Sequence, residues 1–192
     1  AWNRWGGWAA GPQLEATGFF RTEKHAGKWY LVDPDGRLFF SRGTNALRAH
    51  EYWLNDGERA RLFQRQRAAD SKTFNFYGDN VLAKYGSPAA WNDFQLRRLQ
   101  SWGFNTVANW SEPALYQAQK MPYVLNLPLP KCPKVGDIID VFADEFAAGM
   151  ADVFGDEFAF AREDPYCVGF FIGNELKFGT ATRIGEQALA AK

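Results

Sequence analysis

The chain has 192 residues, 46% of them apolar, 17% aromatic and 23% charged, and its 22 basic side chains are balanced by 22 acidic ones. That is material for one domain of about 100–200 residues; zero net charge argues against a nucleic-acid binder working through a basic face and against a charged disordered tail. No run approaches the roughly 18 uninterrupted apolar residues of a membrane span, so a soluble protein with no membrane partner is expected.

Residues 1–17 read as an irregular arm in which Trp2, Trp5 and Trp8 recur every third position. The expectation is that these indoles pack the arm against the body, with stacking on sugar rings as the alternative. Residues 18–192 form the domain proper. Residues 19–24 and 29–32 flank an Ala26-Gly27 turn and read as a β-hairpin within 18–33, and Asp33-Pro34-Asp35-Gly36 reads as a tight turn. Leu38-Phe39-Phe40-Ser41 is the expected first strand of the main domain, which occupies 37–192 and ends its first strand in Arg42-Gly43-Thr44-Asn45.

A helix is expected over 57–69 and a loop over 74–80. Ser87-Pro88 then opens a helix whose apolar side is Trp91, Phe94, Leu96, Leu99 and Trp102 and whose stop signal is Gly103. Residues 104–108 read as a second strand ending in Asn109-Trp110-Ser111, 111–120 as a short helix, and 123–127 as a third strand. A long helical stretch covers 141–162. Within it Val141-Phe142-Ala143-Asp144-Glu145-Phe146-Ala147 is nearly repeated as Val153-Phe154-Gly155-Asp156-Glu157-Phe158-Ala159, which reads as two helical starts with acids near their positive ends. Residues 167–173 make a fourth buried strand ending in Asn174-Glu175, and 184–191 begin a further helix.

Four apolar strands, each followed by polar residues and separated by helical segments, predict parallel βα units with both sheet faces buried. No strand runs into GxGxxG, GxxxxGK or GxSxG, and His50-Glu51 lacks the second histidine of a zinc-protease helix. Cys132 and Cys167 fit no zinc spacing, and His25 and His50 are the only histidines, so neither metal nor cofactor is expected and the thiols read as buried small hydrophobes. The end Ala1-Trp2-Asn3 has neither an initiator Met nor a signal-peptide core, which leaves the compartment open.

Chemistry in parallel α/β folds gathers at the C-terminal ends of the strands. The residues placed there are Asn45, Asn109, Trp110, Asn126, Asn174 and Glu175. Amides that both donate and accept match sugar hydroxyls, an indole offers a flat face to a pyranose ring, and a carboxyl can protonate a glycosidic oxygen. Trp110 as packing, and Glu175 as an ion-pair partner, are the structural alternatives.

The run Phe170-Phe171-Ile172-Gly173-Asn174-Glu175-Leu176 resembles the Asn-Glu signature of strand four in clan A glycoside hydrolases, retaining enzymes built on a (βα)8 TIM barrel. Gly18-Phe19-Phe20, the run from Trp29-Tyr30-Leu31-Val32 into Asp33-Pro34-Asp35-Gly36, Phe39-Phe40-Ser41-Arg42-Gly43, Gly103-Phe104-Asn105-Thr106-Val107 with Asn109-Trp110-Ser111, and Asp164-Pro165-Tyr166 are similar to agarase-like members of family 50. The resemblance covers most of 18–178. It implies that Glu175 is the general acid/base and that Asn174 holds the sugar 2-hydroxyl, in a glycosidase acting on β-glycosidic bonds of an agar-like galactan. Relatives often read Asp-Asn-Glu-Leu-Ser-Trp, where this chain has Gly173 before Asn174 and Lys177-Phe178 after Leu176, a departure that bears on substrate preference.

A whole barrel needs about 250 residues, with about 200 as a lower bound, and the resemblance places the nucleophile on a seventh strand. The chain therefore reads as the N-terminal half of a barrel with about four βα units. Glu112 and Asp137 are the carboxylates after strands two and three, each better explained by a helix-cap or surface role. Open sheet edges invite pairing, so a homodimer through those edges is expected, with a catalytically impaired carbohydrate-binding or structural half-barrel as the alternative to an active hydrolase.

Overall fold

The structure is a computed structural model that describes residues 1–50, 53–54, 73–177 and 181–190; the helix expected over 57–69 lies outside the described residues. The first element is an antiparallel sheet of β1 (Arg21–His25), β2 (Lys28–Val32) and β3 (Leu38–Phe39), in that order. The turn between β2 and β3 is organised by the fully buried Asp33, whose Oδ1 accepts the N–H groups of Asp35 at 3.0 Å and Arg37 at 2.9 Å. Its Oδ2 accepts Asn3 Nδ2 at 2.6 Å, which docks the N-terminal arm on the turn. Of the three arm tryptophans only Trp5 is buried, packed against Tyr166 at a tilt of 57° with 4.6 Å between ring centroids; Trp2 and Trp8 stay half exposed, so the expectation of a packed indole stripe holds for one residue in three.

The second sheet is parallel and runs in chain order: β4 (Gly43–Thr44), β7 (Thr106–Val107), β8 (Tyr123–Leu127) and β11 (Cys167–Ile172). The expected first strand at 38–41 is thus displaced. Leu38 and Phe39 pair with Val32 and Leu31 in the antiparallel sheet, and the first parallel strand is Gly43–Thr44, where the missing side chain lets the backbone approach the Thr106 carbonyl more closely than any Cβ would allow. Two small antiparallel pairs lie outside this sheet. They are β5 (Trp53–Leu54) with β6 (Thr73–Phe74), and β9 (Lys134–Val135) with β10 (Ile138–Ile139), a hairpin that hydrophobic patterning did not show because its strands are two residues each.

The helices are α1 (Phe76–Tyr85), α2 (Pro88–Ser101), α3 (Pro113–Gln117), α4 (Glu145–Val153) and α5 (Ala181–Ala190). Helix α1 replaces the loop expected over 74–80: the Asn75 side chain accepts Gly78 N–H at 2.9 Å and caps it, so the Asn, Phe and Gly that suggested a loop form its cap and first turn. Helix α2 starts as expected, with Ser87 Oγ accepting Ala90 N–H at 3.1 Å and Pro88 at the first position. The stretch expected as one helix over 141–162 is broken at Phe154-Gly155 into α4 and a 3-10 helix, Asp156–Ala161. The repeated Asp-Glu pairs fall at the two starts.

The core is one-sided. Trp91, Leu96 and Leu99 of α2, Leu115 and Tyr116 of α3 and Val81 of α1 pack on Val107, Tyr123 and Leu125. Phe94 and Trp102, expected on the same face of α2, are exposed. Burial alternates along β8, with Tyr123, Leu125 and Leu127 buried and Val124 and Asn126 half-buried on the other face. Both faces were expected to be covered; in the described residues only one is. The last strand was expected to be buried too, yet it forms the sheet's edge, with Phe171 58% exposed.

Under the sheet, Tyr123 Oη donates to Asp164 Oδ2 at 2.9 Å and Asp164 Oδ1 accepts Tyr166 N–H at 3.0 Å. Burial and the neighbouring Asp164 carboxylate push the Tyr123 phenol well above its ordinary range. Cys132 and Cys167 are free and half-buried. No helix among the described residues is long and apolar enough to cross a membrane.

Candidate active site

The C-terminal ends of the parallel strands lie beside the sheet face that the described residues leave uncovered. There a cavity of about 370 Å³ is lined by Ser41, Gly43, Asn45, Thr106, Ala108, Asn109, Trp110, Val124, Phe171, Gly173 and Asn174. Period-two alternation places Gly43 and Asn45, Thr106 and Ala108, and Phe171 and Gly173 on one face. Four of the residues singled out in the sequence, Asn45, Asn109, Trp110 and Asn174, are brought together here. Asn126 shares the face of Val124 on β8, and Glu175 is the exposed neighbour of Asn174, but neither lines the cavity.

None of the lining residues is charged, and the polar groups are amides and hydroxyls. Asn109 is buried with its Oδ1 lacking a hydrogen-bond partner, and the buried Oδ1 of Asn126 is likewise unpaired. An unpaired buried acceptor costs about 1–3 kcal/mol, and of the two only Asn109 lines the cavity. Trp110 is 42% exposed, enough to present an indole face to a ligand.

The loops that carry these groups are held in sparsely populated backbone conformations. Ala46, Trp110 and Glu175, each just past a parallel strand, have φ of 50°, 62° and 46°. Such conformations in non-glycine residues gather at functional sites. The first two loops brace each other: Ala46 N–H donates to the Asn109 carbonyl at 2.8 Å, Leu47 N–H donates to Ser111 Oγ at 3.1 Å, and Ser111 N–H donates to Tyr116 Oη at 2.8 Å. Glu112 completes the brace, its Oε1 accepting Ala49 N–H at 2.8 Å and lying 2.9 Å from His50 Nδ1. Glu112 therefore acts as a loop tie.

Sequence patterning missed Ser41, Thr106 and Phe171 as lining residues. Their signal was the period-two continuation of each strand toward its polar end. Among the described residues, no group of three or more His, Cys, Asp and Glu side chains could hold a metal ion.

No protein-family model matches the chain. Beta-agarase B of Vibrio sp. (strain JT0107) is 30% identical over 226 aligned positions, covering 91% of this chain and 24% of the relative. Beta-agarase A of the same strain is 27% identical over 195 positions, covering 82% and 20%. Among solved structures, the agarase AgWH50C superposes with a TM-score of 0.79 at 30% identity, over 94% of this chain and 32% of that one.

The chain is a relative of agarases in sequence and in structure. A second structural relative, described as an exo-beta-agarase, gives a TM-score of 0.75 at 26% identity and is covered over 34% of its length. The chain thus spans about a fifth to a quarter of the length of these curated agarases and about a third of the solved agarase chains.

Proposed function

We propose that the chain supplies the acid/base part of a retaining glycoside hydrolase site that cleaves β-glycosidic bonds in an agar-type galactan. The observation that carries this reading is the uncharged cavity in which Asn45, Asn109, Trp110 and Asn174 converge beside Glu175. Its chemistry suits a neutral polyol: a hydroxyl fills the unpaired amide oxygen of Asn109, and the C–H face of a pyranose ring lies on Trp110. Similarity to agarases supplies the substrate class.

In this reading Glu175 donates its proton to the glycosidic oxygen as the bond to the anomeric carbon breaks, while a second carboxylate attacks that carbon from the opposite face. Glu175 then takes a proton from water, which displaces the glycosyl ester and restores both carboxyls. Asn174 holds the 2-hydroxyl of the reacting sugar. The two carboxyls of a retaining pair stand about 5–5.5 Å apart, and no lining residue of the cavity is acidic. The nucleophile is therefore assigned to another segment seated on the uncovered face of the sheet. The four strands in chain order, with helices on one side, are the arc of a (βα)8 barrel in this account.

The test is hydrolysis of agaro-oligosaccharides and aryl β-glycosides by the protein that carries both the chain and the nucleophile's segment, as parent and as Glu175→Gln. General acid–base catalysis contributes about 10²–10⁴-fold, so a loss of that size is expected. Hydrolysis that survives the substitution removes Glu175 from the role.

The exposed edge strand favours a second reading, a sugar-binding half-barrel that pairs with another copy through β11. Oligosaccharide binding without hydrolysis, by a species of twice the monomer mass in light scattering, is the outcome that selects it. A compact monomer sets the pairing aside.

A further inference from the structure

The backbone that carries Glu175 is held at two points and is strained between them. On the strand side, Gly173 N–H donates to the Leu127 carbonyl at 2.8 Å, which extends the β8–β11 ladder by one bond. Gly173 has φ 72°, the left-handed region that glycine adopts without a Cβ penalty, and it lies against the side chains of Leu129 and Leu176. Glu175 follows at φ 46°, a conformation that a β-carbon disfavours.

On the far side the clamp is Asp137. It occupies the two-residue turn Gly136-Asp137 of the β9–β10 hairpin, whose closing pair is Val135 with Ile138. Lys177 N–H donates to Asp137 Oδ2 at 2.9 Å, and Asp137 N–H donates to the Lys177 carbonyl at 3.1 Å. The pair closes a ring between the hairpin tip and the residue two positions past Glu175. Among the described residues, no other hydrogen bond holds the backbone of 174–176.

We infer that Asp137 is a positioning residue for Glu175, acting through the Lys177 amide to keep the residue in its left-handed conformation at the edge of the sugar cavity. With the carboxylate removed, one of the two bonds at Lys177 is lost and the strain at Glu175 relaxes by rotating the backbone, which swings the carboxyl away from the cavity. The proposal rests on the acid/base reading of Glu175 for its catalytic consequence and on hydrogen-bond geometry alone for its structural one. Displacement of a reacting group by about 1 Å can cost about 100-fold.

The experiment compares the chain with Asp137→Ala and Asp137→Asn. Asparagine keeps an oxygen that can accept the Lys177 N–H; alanine does not. Amide hydrogen exchange by NMR should show Lys177 exchanging at least tenfold faster in Asp137→Ala, with the Glu175 resonances displaced, and near the parent rate in Asp137→Asn. Resonances of the remote β1–β2 hairpin, unchanged in both, report that the variants are folded. Where the chain hydrolyses agaro-oligosaccharides, kcat should fall about tenfold in Asp137→Ala with KM little changed, and recover in Asp137→Asn. Parent-like exchange at Lys177 and unmoved Glu175 resonances in Asp137→Ala would overturn the inference. A chain without hydrolytic activity is the outcome expected where the nucleophile lies on another segment, and the exchange comparison then decides the role of Asp137.

Discussion

The Asn105 side chain accepts the Arg42 N–H at 2.8 Å and so joins the start of the first parallel strand to the start of the second. Its Nδ2 also donates to the carbonyls of Gly6 at 3.0 Å and Phe40 at 3.1 Å. One buried amide thus connects the arm, the antiparallel sheet and the parallel sheet. Asn105→Ala leaves one donor and two acceptors without a partner, and urea unfolding should show a loss of about 2–4 kcal/mol. A loss under about 1 kcal/mol would mean that water replaces the amide.

Function and stability should separate at Asn109. Its Oδ1 is buried and unpaired, so Asn109→Ala should leave stability within about 1 kcal/mol of the parent, or raise it, while weakening oligosaccharide binding about tenfold or more. Calorimetric titration paired with thermal melting checks both halves.

Trp110 combines an exposed indole with φ 62°. Trp110→Ala and Trp110→Gly should weaken sugar binding alike, because both remove the stacking face. The glycine variant should be the more stable of the two by about 1 kcal/mol, the approximate cost of a Cβ in the left-handed region. Equal stabilities would show that the loop relaxes once the indole is gone.

The arm should loosen in acid. The Arg4 guanidinium, hydrogen-bonded at 2.8 Å, holds the Asp35 carboxyl below its ordinary value of 3.8. A depressed folded-state pKa contributes stability that is present above the unfolded value and lost as pH falls through the folded one. Arg4→Ala should therefore flatten the acid limb of a stability–pH curve below about pH 4, with a small effect because the pair is largely exposed. An unchanged acid limb would show that the pair adds nothing to docking the arm.

Cys167 is predicted to be inert. Burial pushes its thiol up to about 12, leaving almost no thiolate at pH 8. In a Cys132→Ser variant a disulfide reagent should label the native protein very slowly and the denatured protein fully. Rapid native labelling would mean that β11 opens at its edge.

Much of the architecture was legible because it rests on local signals. Ser87-Pro88 and Gly103 mark the start and stop of α2 by capping chemistry, and 123–127 coincides with β8 because five residues of strand propensity sit between turn formers. The failures share a cause. Leu38-Phe39 reads as a core strand by composition, but whether it joins the antiparallel or the parallel sheet depends on pairing with Leu31 and Val32, a contact that apolar runs do not encode. The loop expected around Asn75 is a capped helix because Asn and Gly serve turns and caps equally well.

The candidate site was legible by type and less so by geometry. Asn45, Asn109, Trp110 and Asn174 meet because strand ends in a parallel sheet converge, which follows from chain direction alone. Glu175 lies outside the cavity lining at a positive φ, and Asn126, on the lining face of β8, lies two residues beyond the lining residue Val124, details of reach that strand patterning does not encode. The ties at His50–Glu112 and Asp137–Lys177 were invisible to patterning, since each joins residues 40 or more positions apart.

Sugar binding at the strand ends is measured most directly by chemical-shift mapping of the labelled chain titrated with an agaro-oligosaccharide. Perturbations are expected to centre on Asn45, Asn109, Trp110 and Asn174 and to spread to Glu175, with saturation as the sugar is added. Perturbations confined to other surfaces, or a spectrum unmoved at millimolar sugar, would contradict it.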